Sequence, residues 1–306
     1  MSGPPVLPRL ARGLVISSFS LLFVAYVAGP VAWLASSSLQ TEAEITAVPP
    51  NWLPPQPTLV NFNAIFTARE REVTYENRRQ GDPATGGFLP SGAQNLVPAL
   101  WNSLIVGACV GALNLLLSLT GAYAIAVIPF RGRHATLYTV LATRVIPDIA
   151  LAVPLFLVIR TLGLVNSLSA LVVTYLAVTV PFTIFILISY FEGIPRDLYR
   201  AARMDGCGHW GALRHVYLPL AVPAIVAALM FAFLTSWNEF VFALVLTQNV
   251  EAQTLPIIIS GFIMDFTTSF SFVNAAGVIA IVPPVLLSVL FQRYIVSGLT
   301  AGAVKG

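Results

Sequence analysis

Residues 199–220 read YRAARMDGCGHWGALRHVYLPL, and they hold Arg200, Arg203, Asp205 and Arg214 with two of the three histidines, His209 and His215. Such a density of charged and imidazole groups raises the question of catalysis or of contact with a partner. The spacing supports neither a catalytic nor a metal site. There is no H-E-x-x-H, no Cys/His cluster and no G-x-x-x-x-G-K-[ST] loop. The single lysine, Lys305, is the penultimate residue, so this chain cannot build that phosphate cradle. His134, His209 and His215 lack an acyl-transfer arrangement and read as solvated or interfacial histidines. Cys109 sits in an apolar run and Cys207 in the charged stretch, so no disulfide framework is expected. An enzyme reading has nothing to stand on, and no cofactor or metal is expected in this chain.

The elements that position the charged stretch are apolar. Of 306 residues, 57% are hydrophobic and 9% charged, with a mean hydropathy of +0.83. These values belong to integral membrane proteins. A span needs about 20 apolar residues, and six runs qualify: 13–36, 98–128, 135–161, 168–190, 219–246 and 273–294. The first follows Arg9 and Arg12. It exceeds the roughly 7–15 residues of a signal-peptide core and reads as a retained span. The third contains Pro147 and Pro154 and is expected to be irregular, which lipid tolerates only where protein or water resupplies hydrogen-bond partners. No fixed-period repeat is visible.

Arginine placement sets the expected orientation. Arg9 and Arg12, then Arg131 and Arg133, then the opening stretch, then Arg293 and Lys305 all fall on one side if there are six spans. The expected fold is an all-α integral membrane protein of six transmembrane helices, both termini cytoplasmic, in the cell membrane. The expected organisation is 1–36 as N-terminal segment and first span, 37–97 as a long outer segment, and 98–306 as the core. Segment 37–97 holds four Arg and six acids and is rich in Pro, Asn and Gly. It is either a linker or a platform for an external partner.

Several polar residues fall within the apolar runs. Arg144 and Asp148 lie four apart, hence on one face if the third span is helical there. Arg144 would be roughly 15 Å deep, at about 1.5 Å per residue. A charge at such depth faces a partner or water. The pair is a candidate pathway or gating element, or else a structural ion pair. Asn238 and Glu239 sit toward the outer end of the fifth span, as pathway residues or as contacts to a partner. Asp265 lies in FIMDFTTSFSF, a candidate interfacial helix.

The charged stretch itself reads as two short helices at the membrane surface. Pro195 suits a first helical turn and Asp197 the positive end of its dipole. Gly206 ends that helix in a left-handed conformation. Leu198, Ala201, Ala202 and Asp205 fall on one side, with the alanines giving it a low profile. A second helix is expected over 208–216, with Trp210 and Leu213 on one face. The segment is either an amphipathic interfacial loop or a docking knob for a soluble partner.

Here the sequence resembles a family. Arg200-Ala201-Ala202, Gly206 and Val216-x-Leu218-Pro219 resemble the EAA loop of ABC importer permeases, whose pattern is E-A-A-x3-G-x9-I-x-L-P. Arg200 stands in place of Glu and Val216 in place of Ile. Ser236-Trp237-Asn238-Glu239-Phe240 is similar to a segment of carbohydrate permeases. The ending from Phe291 to Gly306 is similar to the tail of the maltose-type, MalG-like branch.

The resemblance implies a binding-protein-dependent sugar importer, with a di- or oligosaccharide as cargo. The implied partners are a second, MalF-like permease, two ATP-binding subunits that hold ATP and Mg, and an extracytoplasmic sugar-binding protein. It implies a coupling loop at 191–219, with Arg200, Ala201, Ala202, Asp205, Gly206, Leu218 and Pro219 facing or following the ATPase. Thr300, Gly302 and Lys305, in a tail at 295–306, would be a second ATPase contact. Gln248, Asn249 and Gln253 would meet the binding protein. A glycerol-phosphate or polyol derivative is the alternative cargo. A stand-alone secondary transporter or channel is the rival class, and the absence of an internal repeat argues against it.

Overall fold

A computed structural model describes residues 6–67, 92–264 and 269–303. Among them the chain is helical, with no strand. Helix α1 spans Val6–Ser38, α2 Glu42–Ile45 and α3 Val60–Thr67. Then follow α4 Leu96–Val127, α5 Arg133–Val145, α6 Asp148–Thr161 and α7 Leu168–Glu192. Helix α8 is Arg196–Met204, α9 His209–Leu220 and α10 Val222–Trp237. Helices α11 Val241–Leu246, α12 Leu255–Met264 and α13 Phe270–Ala303 complete the order.

Four of these helices are long and apolar enough to cross a membrane, and six crossings result if two bent pairs each count as one. The bent pairs are α5 with α6, at 100°, and α9 with α10, at 83°. The expected third span is therefore two half-length helices. Its break falls at Ile146–Pro147, where Pro147 cannot donate into a continuing helix. Arg144 and Asp148 thus lie on either side of the break and not on one helical face. Pro154, by contrast, sits inside α6 without ending it.

The chain divides into two compact units. One comprises Met1–Gln94 and Gly261–Ile279. In it, the start of the outer segment is folded back by side-chain hydrogen bonds. Buried Asn61 donates to the carbonyls of Ser38 (2.9 Å) and Gln40 (2.8 Å). Thr41 N donates to Glu44 at the start of α2 (2.9 Å), and Glu42 accepts from Ser271 N and Ser269 Oγ, both at 3.0 Å, at the start of α13. The beginning of segment 37–97 is thus ordered by specific bonds. Its polar middle, and Asp265, lie outside the described residues.

The other unit comprises Asn95–Ser260 and Ala280–Gly306. Its core is α4 packed on α7 and α10. Gly107 and Gly111 on α4 let α10 approach closely. A Cβ on Gly107 would lie 2.7 Å from the Phe233 ring, and one on Gly111 would lie 3.1 Å from Leu229 Cδ1. Small residues four apart are a common helix-packing device in lipid, where dispersion contact takes the place of the hydrophobic effect. One buried polar pair joins two of these helices. Buried Asn114 donates to Thr179 Oγ1 at 2.7 Å, joining α4 to α7.

Candidate functional site

Two short helices carry the charged stretch. Pro195 precedes α8 as its N-cap, and Asp197 lies in the first turn. The helix ends at Gly206, whose φ of +82° is left-handed. Cys207 N bonds back to Ala202 O (3.0 Å) and Arg203 Nη1 caps Cys207 O (3.0 Å), so the reversal is closed on both sides. Helix α9 then turns through a π segment, Leu213–Tyr217, before the bend at Ala221.

The faces differ from expectation. Ala201 is exposed but Ala202 is buried, so the two alanines do not share an outer surface. Leu213 is likewise buried while Trp210 stands 73% exposed. Residues three apart differ by about 60° around a helix, and Leu213 falls on the side that packs into the core with Tyr123, Phe191 and Tyr217. Away from the bend, the exposed large apolar groups are Leu198, Met204 (82%) and Trp210, set among Arg196, Arg200, Arg203 and Arg214. Arg200 pairs within its own helix, with Asp197 at 3.0 Å.

Beneath this surface lies an aromatic base that motif spacing did not reveal. Tyr123 near the end of α4, Phe191 near the end of α7 and Tyr217 in α9 are all buried and meet edge to face, with ring centroids 5.2–6.4 Å apart. Tyr123 OH donates to His209 O at 2.9 Å. The Tyr199 hydroxyl lies 3.0 Å from His209 Nδ1, joining α8 to α9. His209 therefore links the short helices to each other and to α4. Leu218 is half-buried and Pro219 exposed at the approach to the bend.

At the other break, Arg144 Nη1 lies 3.6 Å from Asp148 Oδ1 and donates to Val178 O at 3.1 Å. Pro181 lies within α7 and disturbs the carbonyls a turn before it. The Arg144 guanidinium supplies a partner in that region. Asn238 and Glu239 occupy the gap between α10 and α11. Both Glu239 carboxylate oxygens accept backbone N–H groups of α11, from Phe242 (2.8 Å) and Ala243 (3.1 Å). Asn238 Nδ2 donates back to Leu234 O at 2.9 Å. These two polar residues thus satisfy the backbone where the helix stops. A cavity of about 270 Å³ adjoins them, lined by Trp237, Asn238, Leu255 and Pro284 among others.

Gln248 and Asn249 are exposed at a loop tip, and Gln253 is half-buried behind it. Thr300 and Gly302 fall in the last turns of α13, and Lys305 lies outside the described residues. The geometry consists of broken helices, capped breaks and an exposed amphipathic segment.

The comparisons with known proteins agree with that character. The pattern of the family described as "Binding-protein-dependent transport system inner membrane component" matches residues 115–301. The chain is 37% identical, over 90% of its length and 88% of the relative, to the sulfoquinovosyl glycerol transport system permease protein SmoH of Agrobacterium fabrum. It is 40% identical, over 68% of its length and 75% of the relative, to the trehalose/maltose transport system permease protein MalG of Thermococcus litoralis. It superposes with a TM-score of 0.76 and 22% identity on a chain of a bacterial ABC transporter involved in the import of the acidic polysaccharide alginate. That superposition covers 96% of this chain and 100% of the other, and it extends the likeness to the fold. The matched stretch contains the charged segment and both capped breaks. This chain belongs to the family of binding-protein-dependent transport system inner membrane components, the non-catalytic permease subunits of ABC importers.

Proposed function

We propose that this chain forms half of the membrane domain of an ATP-driven importer for a di- or oligosaccharide, and that residues 191–219 receive force from an ATPase subunit. The observation that carries the reading is the exposed trio Leu198, Met204 and Trp210 on helices anchored from below by Tyr123, Tyr217 and His209. An interfacial loop would need only its own amphipathicity. A force-receiving part also needs a stiff connection to the spans, and the aromatic base fits that need. Two ATP-binding subunits, holding ATP and Mg, supply the energy, and a MalF-like permease completes the pathway. An extracytoplasmic binding protein delivers the sugar to the outer loop at Gln248, Asn249 and Gln253. Thr300, Gly302 and Lys305 are proposed as a second ATPase contact. Arg144, Asp148, Asn238 and Glu239 are proposed to hold the broken helices beside the pathway.

The cargo reading is supported by the trehalose/maltose permease among the relatives. The relative that carries a sulfoquinovosyl glycerol keeps a glycosylated polyol as a second candidate cargo. The proposed orientation, with both termini and the charged segment in the cytoplasm, is supported by the arginine distribution.

The test is a Met204→Ala/Trp210→Ala double variant, with Gly206→Pro beside it. Both truncated side chains are exposed, so the effect on folding is small, within about 0.5 kcal/mol each. ATPase subunits are expected to co-purify with either variant at least about tenfold less well, a change of about 1.4 kcal/mol, while membrane insertion is retained. Unchanged co-purification and a normal binding-protein-stimulated ATPase rate would overturn the docking assignment.

A further inference from the structure

We propose that Asn166 and Asn102 are positioning residues, which fix the outer loop 247–254 in its protruding form before anything docks on it. The inference rests on the reading that this loop meets the binding protein. Its tip, Gln248 to Glu251, is exposed, while Thr247, Ala252 and Thr254 are buried beneath it. The loop's own backbone bonds are few and long, Ala252 N to Asn249 O and Gln253 N to Val250 O, both at 3.3 Å. Its shape comes instead from two asparagines far away in the sequence.

Asn166 holds one flank. Its φ of +61° is left-handed, which Asn tolerates better than most residues. Its N–H donates to Leu246 O at 3.0 Å. Its Oδ1 accepts from both Gln248 N (2.5 Å) and Asn249 N (3.1 Å), the first two residues of the tip. Asn102, on α4, holds the other flank. Its Nδ2 donates to Glu251 O (2.8 Å) and Gln253 O (2.9 Å). The next residue, Ser103, accepts from Leu255 N at 2.8 Å and fixes the loop's exit. The Asn166 side chain thus grips the loop as an acceptor at its entry, and the Asn102 side chain as a donor toward its exit.

The consequence is energetic. Ordering a residue's backbone costs conformational entropy. A loop that orders only on docking subtracts that cost from the contact, whereas a preformed loop does not. The two asparagines therefore contribute to affinity for the binding protein without touching it.

Their opposite roles give a discriminating test. Asp at position 166 keeps the acceptor atoms, and Gly keeps the left-handed backbone but removes them. Asn102→Asp replaces the Nδ2 donor with a carboxylate, which repels the two carbonyl oxygens. Hydrogen exchange of the segment 246–254 is measured in the assembled transporter in lipid nanodiscs. Asn166→Gly and Asn102→Asp are expected to speed exchange of the tip amides about tenfold, as released hydrogen bonds do. Asn166→Asp is expected to match the parent chain. Exchange unchanged in Asn166→Gly, or as fast in Asn166→Asp, overturns the inference.

A second arm titrates the transporter's own purified binding protein against ATPase rate. Asn166→Gly is expected to raise the half-saturating concentration about fivefold, with the maximal rate retained, consistent with a preorganisation effect. A Gln248→Ala/Asn249→Ala variant separates the two readings. If it raises the half-saturating concentration and Asn166→Gly does not, the positioning role falls and the contact stands. If neither variant raises it, the loop is not the contact and both readings fall.

Discussion

Arg144 shows how a single side chain can serve a helix break and a proline-bearing helix at once. Its guanidinium faces Asp148 across the interruption between α5 and α6, and also bonds Val178 O one turn before Pro181 in α7. A charge in a span is retained only where such partners offset its desolvation. Arg144→Ala removes both links and leaves Asp148 unpaired, so sugar uptake into proteoliposomes is expected to fall about fivefold, an effect of about 1 kcal/mol that lies within the range for contacting residues. Arg144→Ala/Asp148→Asn is expected to lose less than the two single effects combined, because the orphaned carboxylate is gone. Strict additivity of the two losses would rule out coupling between them. The residue pair was legible in the sequence because charges in apolar runs are conspicuous. Its geometry was not, because a helical spacing of four assumed a continuous helix that Pro147 denies.

At the scale of elements, the apolar runs were readable because length and hydropathy alone define them, and α4 and α7 fall within two residues of the expected bounds. The contacts between helices were not read. The Gly107–Gly111 spacing was the available signal, and it marks the α4 surface that receives Phe233 and Leu229 of α10. Gly107→Val is expected to destabilise the chain by about 1–3 kcal/mol, as overpacking generally does. Thermal unfolding in detergent measures this, and Phe233→Leu in the same chain should restore part of the loss by clearing the contact. Equal losses with and without Phe233→Leu would locate the strain elsewhere. The short helices tell a similar story. Their caps, Pro195 and Gly206, were readable from residue type, but which alanine faces outward depends on what lies beneath. Ala202 is buried, so a charge placed there would probe packing before it probed docking.

On the scale of the whole molecule, the division of charge along the chain makes a prediction that needs no partner. The positive-inside rule assigns the segment from Arg196 to Arg214 to the cytoplasm and the Gln248 tip to the outside. The two native thiols are well placed to test this. Cys109 is exposed midway along apolar α4, at a depth where the proposed span faces lipid and not water, and Cys207 is half-exposed just after the left-handed Gly206. A membrane-impermeant maleimide added to right-side-out vesicles should therefore leave the parent chain unlabelled, and the same reagent on inverted vesicles should label Cys207. A Gln248→Cys variant should give the reverse pattern for the introduced thiol, and Cys207→Ser should abolish the signal from inverted vesicles. Labelling of Cys207 from the outside would invert the proposed topology and separate the exposed Met204 and Trp210 from any cytoplasmic ATPase. Labelling from the cytoplasmic face would put the exposed apolar helix, its aromatic base and its arginines on the side where ATP is hydrolysed, and the asparagine-held loop on the side from which cargo arrives.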